Sequence, residues 1–356
     1  MATVLYVTST ERFSGKTALC VGLVHWLRRK GLSAGYMKPV STTARMIGGA
    51  VADEDAIFLK SALELPDSLS TIAPIVITEM EAETLLTAAD ESQLESDAVR
   101  AFQEIATNRD AIVMEGGTSL REGFIINLQP RRLAELFGAR GLVVVPYIDT
   151  IQVVDDLLAC RGSLGDNLLG AVINRIPQHR VRLVQEKIKP FVEKRGIQVF
   201  AMLQREKELL SVSVRELLEG LGGEVLCCAT AMEELVENLM VGAMGAEGAL
   251  TYFRRAPNKA VVTGGDRPDI QLAALETSTR CLILTGNLRP SPLVIGLAEE
   301  RGIPIILTRL DTLKTVEIVE TFFGKTRFHQ QKKVQYFEKI LDKSMDFEAL
   351  GKALAI

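Results

Sequence analysis

Short apolar runs alternate with segments of helical period along most of the 356-residue chain. The runs occupy 3–8 (TVLYVT), 33–40, 111–117, 141–147, 168–176 and 197–203. They are rich in valine and isoleucine and mostly do not alternate with polar residues, as strands covered on both faces of a parallel sheet require. Amphipathic stretches such as 17–30, 92–108, 130–138 and 180–195 lie between them. Strand and helix in alternation predict a doubly wound α/β domain with a mostly parallel sheet over residues 1–210. The segment SVSVRELLEGLGGEVLCCAT (211–230) then reads as helix, glycine stop and strand. The small-residue stretch 240–258 reads as either a loop or a packed helix. Strands are expected again at 259–265, 280–286 and 303–309, each followed by a helix-period segment (269–276, 292–301, 311–323). These define a second, smaller α/β domain over 211–325. Residues 326–356 carry apolar positions near helical spacing and form a helical tail, expected to close against the fold or to serve a partner.

Composition narrows this picture. Hydrophobic residues make up 47% and charged residues 24% of the chain, the balance of a soluble globular protein. A net charge of −4 argues against a nucleic-acid surface. No apolar run reaches the roughly 18 residues of a membrane span. The amino terminus reads as a first strand rather than an export signal, so a cytoplasmic location is expected. Five scattered cysteines without a CxxC pair read as reduced core thiols, with Cys227 and Cys228 on opposite faces if they lie on a strand. His25, His179 and His329 lack metal-ligand spacing, which argues against structural zinc.

The stretch STERFSGKT (9–17) follows the first predicted strand and opens a predicted helix. A phosphate loop needs backbone amides converging on the anion, the positive end of a helix, and a cation within reach of the terminal phosphates. Gly15 permits close backbone approach, Lys16 supplies the cation, Thr17 offers a hydroxyl to Mg²⁺, and Ser14 adds a loop contact. The standard spacing puts a glycine at position 10, where this chain has Thr10, preceded by Ser9. A serine at a position that needs φ > 0 costs on the order of 1 kcal/mol. The bland alternative is a GKT sequence that merely begins a helix.

Aligned on Gly15-Lys16-Thr17, the loop resembles the longer phosphate loop of dethiobiotin synthetase, with Ser9 in place of the first glycine. GYMKPVS (35–41), DEDA (53–56), VMEGG (113–117) and GAVINRI (170–176) resemble further motifs of that family, in the same order. VVTGGDRPDI (261–270) resembles the signature of the DRTGG domain. The two together are similar to the amino-terminal half of long bacterial phosphotransacetylases. The resemblance implies a P-loop NTPase domain that binds Mg²⁺ and ATP. Lys16 and Lys38 would be its catalytic cations, and Ser14, Gly15, Lys16, Thr17 and Asn174 its nucleotide contacts. Thr17, Asp55 and Glu115 would hold the metal, with Asp55 favoured over Asp53 and Glu54. A homodimer is also implied. The acetyltransferase half is not matched, so the chain is not expected to transfer acetyl groups by itself.

A second glycine-rich loop, TGGDRPD, again lies between a strand and a helix. Gly264, Gly265, Asp266 and Arg267, with Arg289 from the next strand end, form either an anionic effector site or a turn that only positions the helix. Asp266 or Asp269 is expected to cap that helix. Three functions stay open. One is an ATP-binding protein with weak hydrolysis that regulates or partners a metabolic enzyme such as a phosphotransacetylase. Another is an ATP-dependent ligase or carboxylase of the dethiobiotin synthetase type. The third is an interaction module with a vestigial nucleotide site.

Overall fold

The computed structural model describes residues 2–47, 50–86, 92–323 and 330–356. The chain divides into two compact units, Met1–Arg205 together with Phe328–Ile356, and Glu206–Arg327.

The first unit is built on six strands, β1 (Thr3–Ser9), β2 (Ala34–Met37), β3 (Ala111–Glu115), β4 (Arg140–Pro146), β5 (Leu168–Ile176) and β6 (Val199–Gln204). Their order across the sheet is β6-β5-β4-β1-β3-β2, and every pairing is parallel. Helices α1 (Lys16–Arg29), α2 (Glu54–Ala62), α3 (Ser92–Ala106), α4 (Pro130–Leu136) and α5 (Thr150–Leu164) make the connections. Packing rather than helix propensity holds α1: ten of its fourteen residues are buried. The run expected at 33–40 splits, because Val40–Ser41 leaves the main sheet and pairs with Ile75–Val76. The helix expected over 180–195 contains a π-helical turn, Val184–Ile188. Pro190 lies two residues beyond it and has no N–H to continue the regular ladder.

The second unit contains α6 (Val214–Leu221), β7 (Glu224–Cys227), β8 (Asn238–Val241), α7 (Ala246–Phe253), β9 (Lys259–Gly264), α8 (Pro268–Leu275), β10 (Thr279–Thr285), α9 (Pro292–Arg301), β11 (Ile305–Leu307) and α10 (Thr312–Phe322). The sheet order is β7-β11-β10-β9-β8, parallel except for β7. Ser213 and Glu216 form a capping box at the start of α6, and Gly222 ends it at φ 55. The stretch 240–258 ends a strand and then forms a helix. Cys227 closes β7 and Cys228 lies beyond it at φ 56, so the two thiols do not alternate along one strand.

The tail forms α11 (Gln331–Ser344) and α12 (Phe347–Leu354) and folds onto α1. Trp26 stacks on Phe347 with ring centroids 5.0 Å apart, and Arg29 pairs with Asp342 at 2.6 Å. A side chain on Gly22 would meet Leu341 at 2.4 Å, so this glycine is what lets the tail approach. Among the described residues no helix is long and apolar enough to cross a membrane.

Candidate functional site

Strand β1 is flanked by β3 on one side and β4 on the other, so successive connections diverge around it. Open α/β sheets place their ligand crevice at the carboxyl ends of such strands. The 9–17 loop leaves β1 here. Glu115 ends β3 in register with Val7, two residues before the loop begins.

Ser9 is the last residue of β1 and is not among the residues with positive φ. The strain expected at this position is therefore not present. The loop's left-handed residues are Phe13 at φ 55 and Gly15 at φ 98. Gly15 is required twice over, because a Cβ there would also lie 2.6 Å from Asn174 Nδ2. It is the N-cap of α1 and offers no side-chain cap, so the first amides of that helix keep no side-chain acceptor. The Ser14 hydroxyl is buried without a hydrogen-bond partner.

Charged groups gather beneath the loop. Lys16 Nζ donates to Ser9 Oγ at 2.7 Å. Thr17 Oγ1 donates to Glu115 Oε1 at 2.8 Å, and Tyr36 Oη donates to Glu115 Oε2 at 2.8 Å. Lys38 Nζ donates to Asp53 at 2.8 Å and to Asp55 at 2.9 Å. Asp53 also accepts from Ser41 at 2.5 Å and Thr43 at 3.1 Å, and caps α2 through Ala56 N at 2.7 Å. Lys16, Lys38, Asp53 and Glu115 are all buried.

Burial lowers the Lys16 pKa, with Glu115 pulling the other way. Burial also acts to lower Lys38, but Asp55, Glu115 and Asp53 outweigh it and hold Lys38 above the ordinary lysine value. Burial raises Glu115 above the carboxylate range, against the pull of Lys38. Lys38 is thus a fixed cation, whereas Lys16 is a cation short of acceptors.

The structure brings Ser14, Gly15, Lys16, Thr17, Lys38, Asp55 and Glu115 to one end of the sheet. Asn174 is there too, but its carboxamide braces the loop. Nδ2 donates to the Ser14 carbonyl at 2.8 Å and Oδ1 accepts from Arg175 N at 2.8 Å. Arg175, at φ 59, donates from its guanidinium to the Phe13 carbonyl. Among the described residues no three His, Cys, Asp or Glu side chains form a metal-binding group. Hard oxygen donors are nevertheless adjacent at Thr17 and Glu115, next to an unpartnered hydroxyl and a helix start. This set is suited to an oxyanion accompanied by a hard divalent cation.

Sequence reasoning did not single out Tyr36, and it ranked Asp53 below Asp55, with which Asp53 shares the Lys38 ammonium. Both left a signal. Tyr36 is the one hydroxyl within Ala34–Met37, and Asp53 sits where a helix N-cap belongs. Glu122 was also missed. It accepts from the Thr118 hydroxyl at 2.5 Å and from the Thr118 amide, and its Oε1 is buried without a partner.

In the second unit, Gly265 packs so tightly on the Leu288 carbonyl that a Cβ would lie 1.8 Å from it. The two strand-end loops therefore touch. Their arginines do not share a contact. Arg267 pairs with Asp269 at 3.0 Å and donates to the Met244 carbonyl, while Arg289 pairs with Glu224 at 2.8 Å. The N-cap of α8 is Arg267 itself, so neither Asp266 nor Asp269 caps it. Asp266 Oδ1 instead lies over Gly264, 2.3 Å from where its Cβ would be.

With this geometry in place, the comparisons with known proteins are informative. The chain belongs to the AAA domain family, whose model matches residues 3–213. The DRTGG domain model matches residues 216–322. The phosphate acetyltransferase of Synechocystis sp. is 23% identical over 98% of this chain and 51% of its own length. That of Nitratidesulfovibrio vulgaris is 24% identical over 99% of this chain and 52% of its own. The ATP-dependent dethiobiotin synthetase of Methanocaldococcus jannaschii is 25% identical over 57% of this chain and 95% of its own. The chain spans about half the length of the phosphate acetyltransferases it matches.

Proposed function

We propose that the chain binds Mg²⁺–ATP at the 9–17 loop, turns it over slowly or only on engagement, and regulates or partners a metabolic enzyme such as a phosphotransacetylase. The observation that carries this reading is one cluster. An unsaturated ammonium (Lys16), an unpartnered hydroxyl (Ser14) and a Thr17–Glu115 oxygen pair meet at an uncapped helix start. ATP would lay its phosphates against the amides of α1 and the Lys16 ammonium, with Ser14 and Gly15 lining the loop. Thr17, Glu115 and Asp55 would hold Mg²⁺, which supplies charge neutralisation at the phosphates when bound. Lys38, kept cationic by its carboxylates, would stabilise charge on a phosphoryl group in transfer. Asn174 would serve the nucleotide chiefly by bracing the loop. Gly264, Gly265, Asp266, Arg267 and Arg289 would bind a small anionic effector once the two arginines exchange their carboxylate partners for it. A homodimer in the cytoplasm completes the reading.

The similarity to nearly the whole of a dethiobiotin synthetase favours a second reading, an ATP-dependent ligase or carboxylase. Lys38 would then touch both phosphate and substrate. ADP release separates the two. Regulation predicts slow release by the chain alone, raised by a purified phosphate acetyltransferase and indifferent to diamine or amino-acid substrates. Ligase activity predicts release that depends on such a substrate. No release under any condition, with no complex formed, leaves a vestigial site.

A further inference from the structure

We propose that Ser9 is a latch that holds Lys16 within the loop and must release it when an anion binds. The proposal rests on the nucleotide reading above and adds a regulator within the same site.

The hydroxyl of Ser9 is fully buried and makes two bonds at once. It accepts from Lys16 Nζ at 2.7 Å and donates to the Glu11 carbonyl at 2.8 Å. Lys16 Nζ reaches the same carbonyl at 3.5 Å, which is the long limit of a hydrogen bond. Ser9, Lys16 and Glu11 therefore close a small ring in which the loop satisfies its own cation. An ammonium has three donors, and here it has one good neutral acceptor and one poor one. This is enough to hold Lys16 in place and too little to compete with a phosphate oxygen, whose charge makes the stronger bond. A glycine at position 9 has no hydroxyl to offer, so the ring depends on this residue.

A ligand shifts an equilibrium only by what it gains in one state over the other. On this proposal the Ser9–Lys16 bond is exchanged for a bond to the anion on binding. Affinity is thereby lowered by the worth of that bond. The backbone supports the same conclusion, since Ser9 lies at the regular end of β1 and its replacement needs no change in φ. Ser9→Ala thus tests the hydroxyl rather than the chain conformation.

The test has two parts, both on the full chain. The first is a double-mutant cycle in nucleotide-free buffer with Ser9→Ala, Lys16→Met and the double variant. Denaturant unfolding is followed by the fluorescence of Trp26, the single tryptophan, which lies on α1. The latch predicts that the two substitutions are coupled by about tenfold in the unfolding equilibrium. Additive effects overturn it. The second is calorimetric titration with Mg²⁺–ATP. Ser9→Ala is expected to bind about tenfold more tightly than wild type, with Ser9→Gly tightened alike and the Ser9→Ala/Lys16→Met variant silent. Wild-type affinity or weaker in Ser9→Ala means that the bond persists in the bound state, and the latch fails while the nucleotide reading stands. Absence of binding in wild type and both single Ser9 variants overturns the nucleotide reading, and the latch with it.

Discussion

Two loops run from a strand end to a helix, one in each unit, and their charged residues meet different surroundings. Around the 9–17 loop, Lys16, Lys38, Asp53 and Glu115 are buried, and the Lys38–Asp53 pair leaves 5% and 0% of its side chains exposed. Around the 261–270 loop, Arg267–Asp269 and Arg289–Glu224 stand in water. Removing charge from water costs several kcal/mol per ion, and a buried pair seldom repays more than that. Exposed pairs cost and contribute little. Burial of these four side chains at one end of the sheet adds little to stability by itself and is what the proposed nucleotide site calls for, whereas the second loop is organised mainly by backbone packing at Gly265.

The sharpest way to break this contrast is Lys38→Met. It removes the Lys38 ammonium from Asp53 and Asp55 and is expected to destabilise the first unit by about 3–5 kcal/mol in urea, read by Trp26 fluorescence. A loss below about 1 kcal/mol would place the cluster in the same class as a surface pair.

Among the described residues the second unit also buries a cation. Lys259 is buried, donates to the Ser278 carbonyl at 3.1 Å and lies 5.8 Å over the Phe253 ring. Burial pulls its pKa from 10.5 down to about 8. Between those values the unfolded chain binds more protons than the folded one. Stability of this unit therefore rises with pH from about 8 to 10.5, and the penalty of burying the charge is fully felt below about 8. The slope is at most about 1.4 kcal/mol per pH unit. Thermal unfolding followed by circular dichroism should show it in wild type and lose it in Lys259→Met. An identical slope in both would assign the effect elsewhere.

Gly15→Ala combines a left-handed φ with pressure on Asn174 and is expected to cost about 1–2 kcal/mol. Its effect on nucleotide binding should exceed its effect on folding, which parallel titration and unfolding experiments would resolve. The smallest change is expected of Arg289→Ala, at most about 1 kcal/mol. A larger loss would show that the second loop is built on its charges after all.

The sheet strands were legible because burial on both faces leaves runs that few other structures produce. Strand 168–176 and helix 292–301 were read to the residue. The nearness of Lys16 and Thr17 to the loop was legible from GKT, and that of Glu115 from the resemblance of VMEGG to a family motif. Illegible were contacts made through distance in sequence. Tyr36 meets Glu115 across 79 residues, and Lys38 selects Asp53 as well as Asp55 only because a short hairpin returns the chain. Asn174 was a nucleotide contact by resemblance alone, and its contacts to the Ser14 carbonyl and Arg175 N depend on the loop's folded path. Ser9 was read as a modest departure from glycine, costly only if the position needs φ > 0, and at the regular end of β1 its φ is not positive.

The most direct measurement is calorimetric titration of wild type and Lys16→Ala with Mg²⁺–ATP, repeated with ADP. Micromolar binding in wild type, abolished by the substitution, is the predicted result. Absence of binding in wild type, or equal binding in both proteins, would contradict the assignment of the buried charges to a nucleotide.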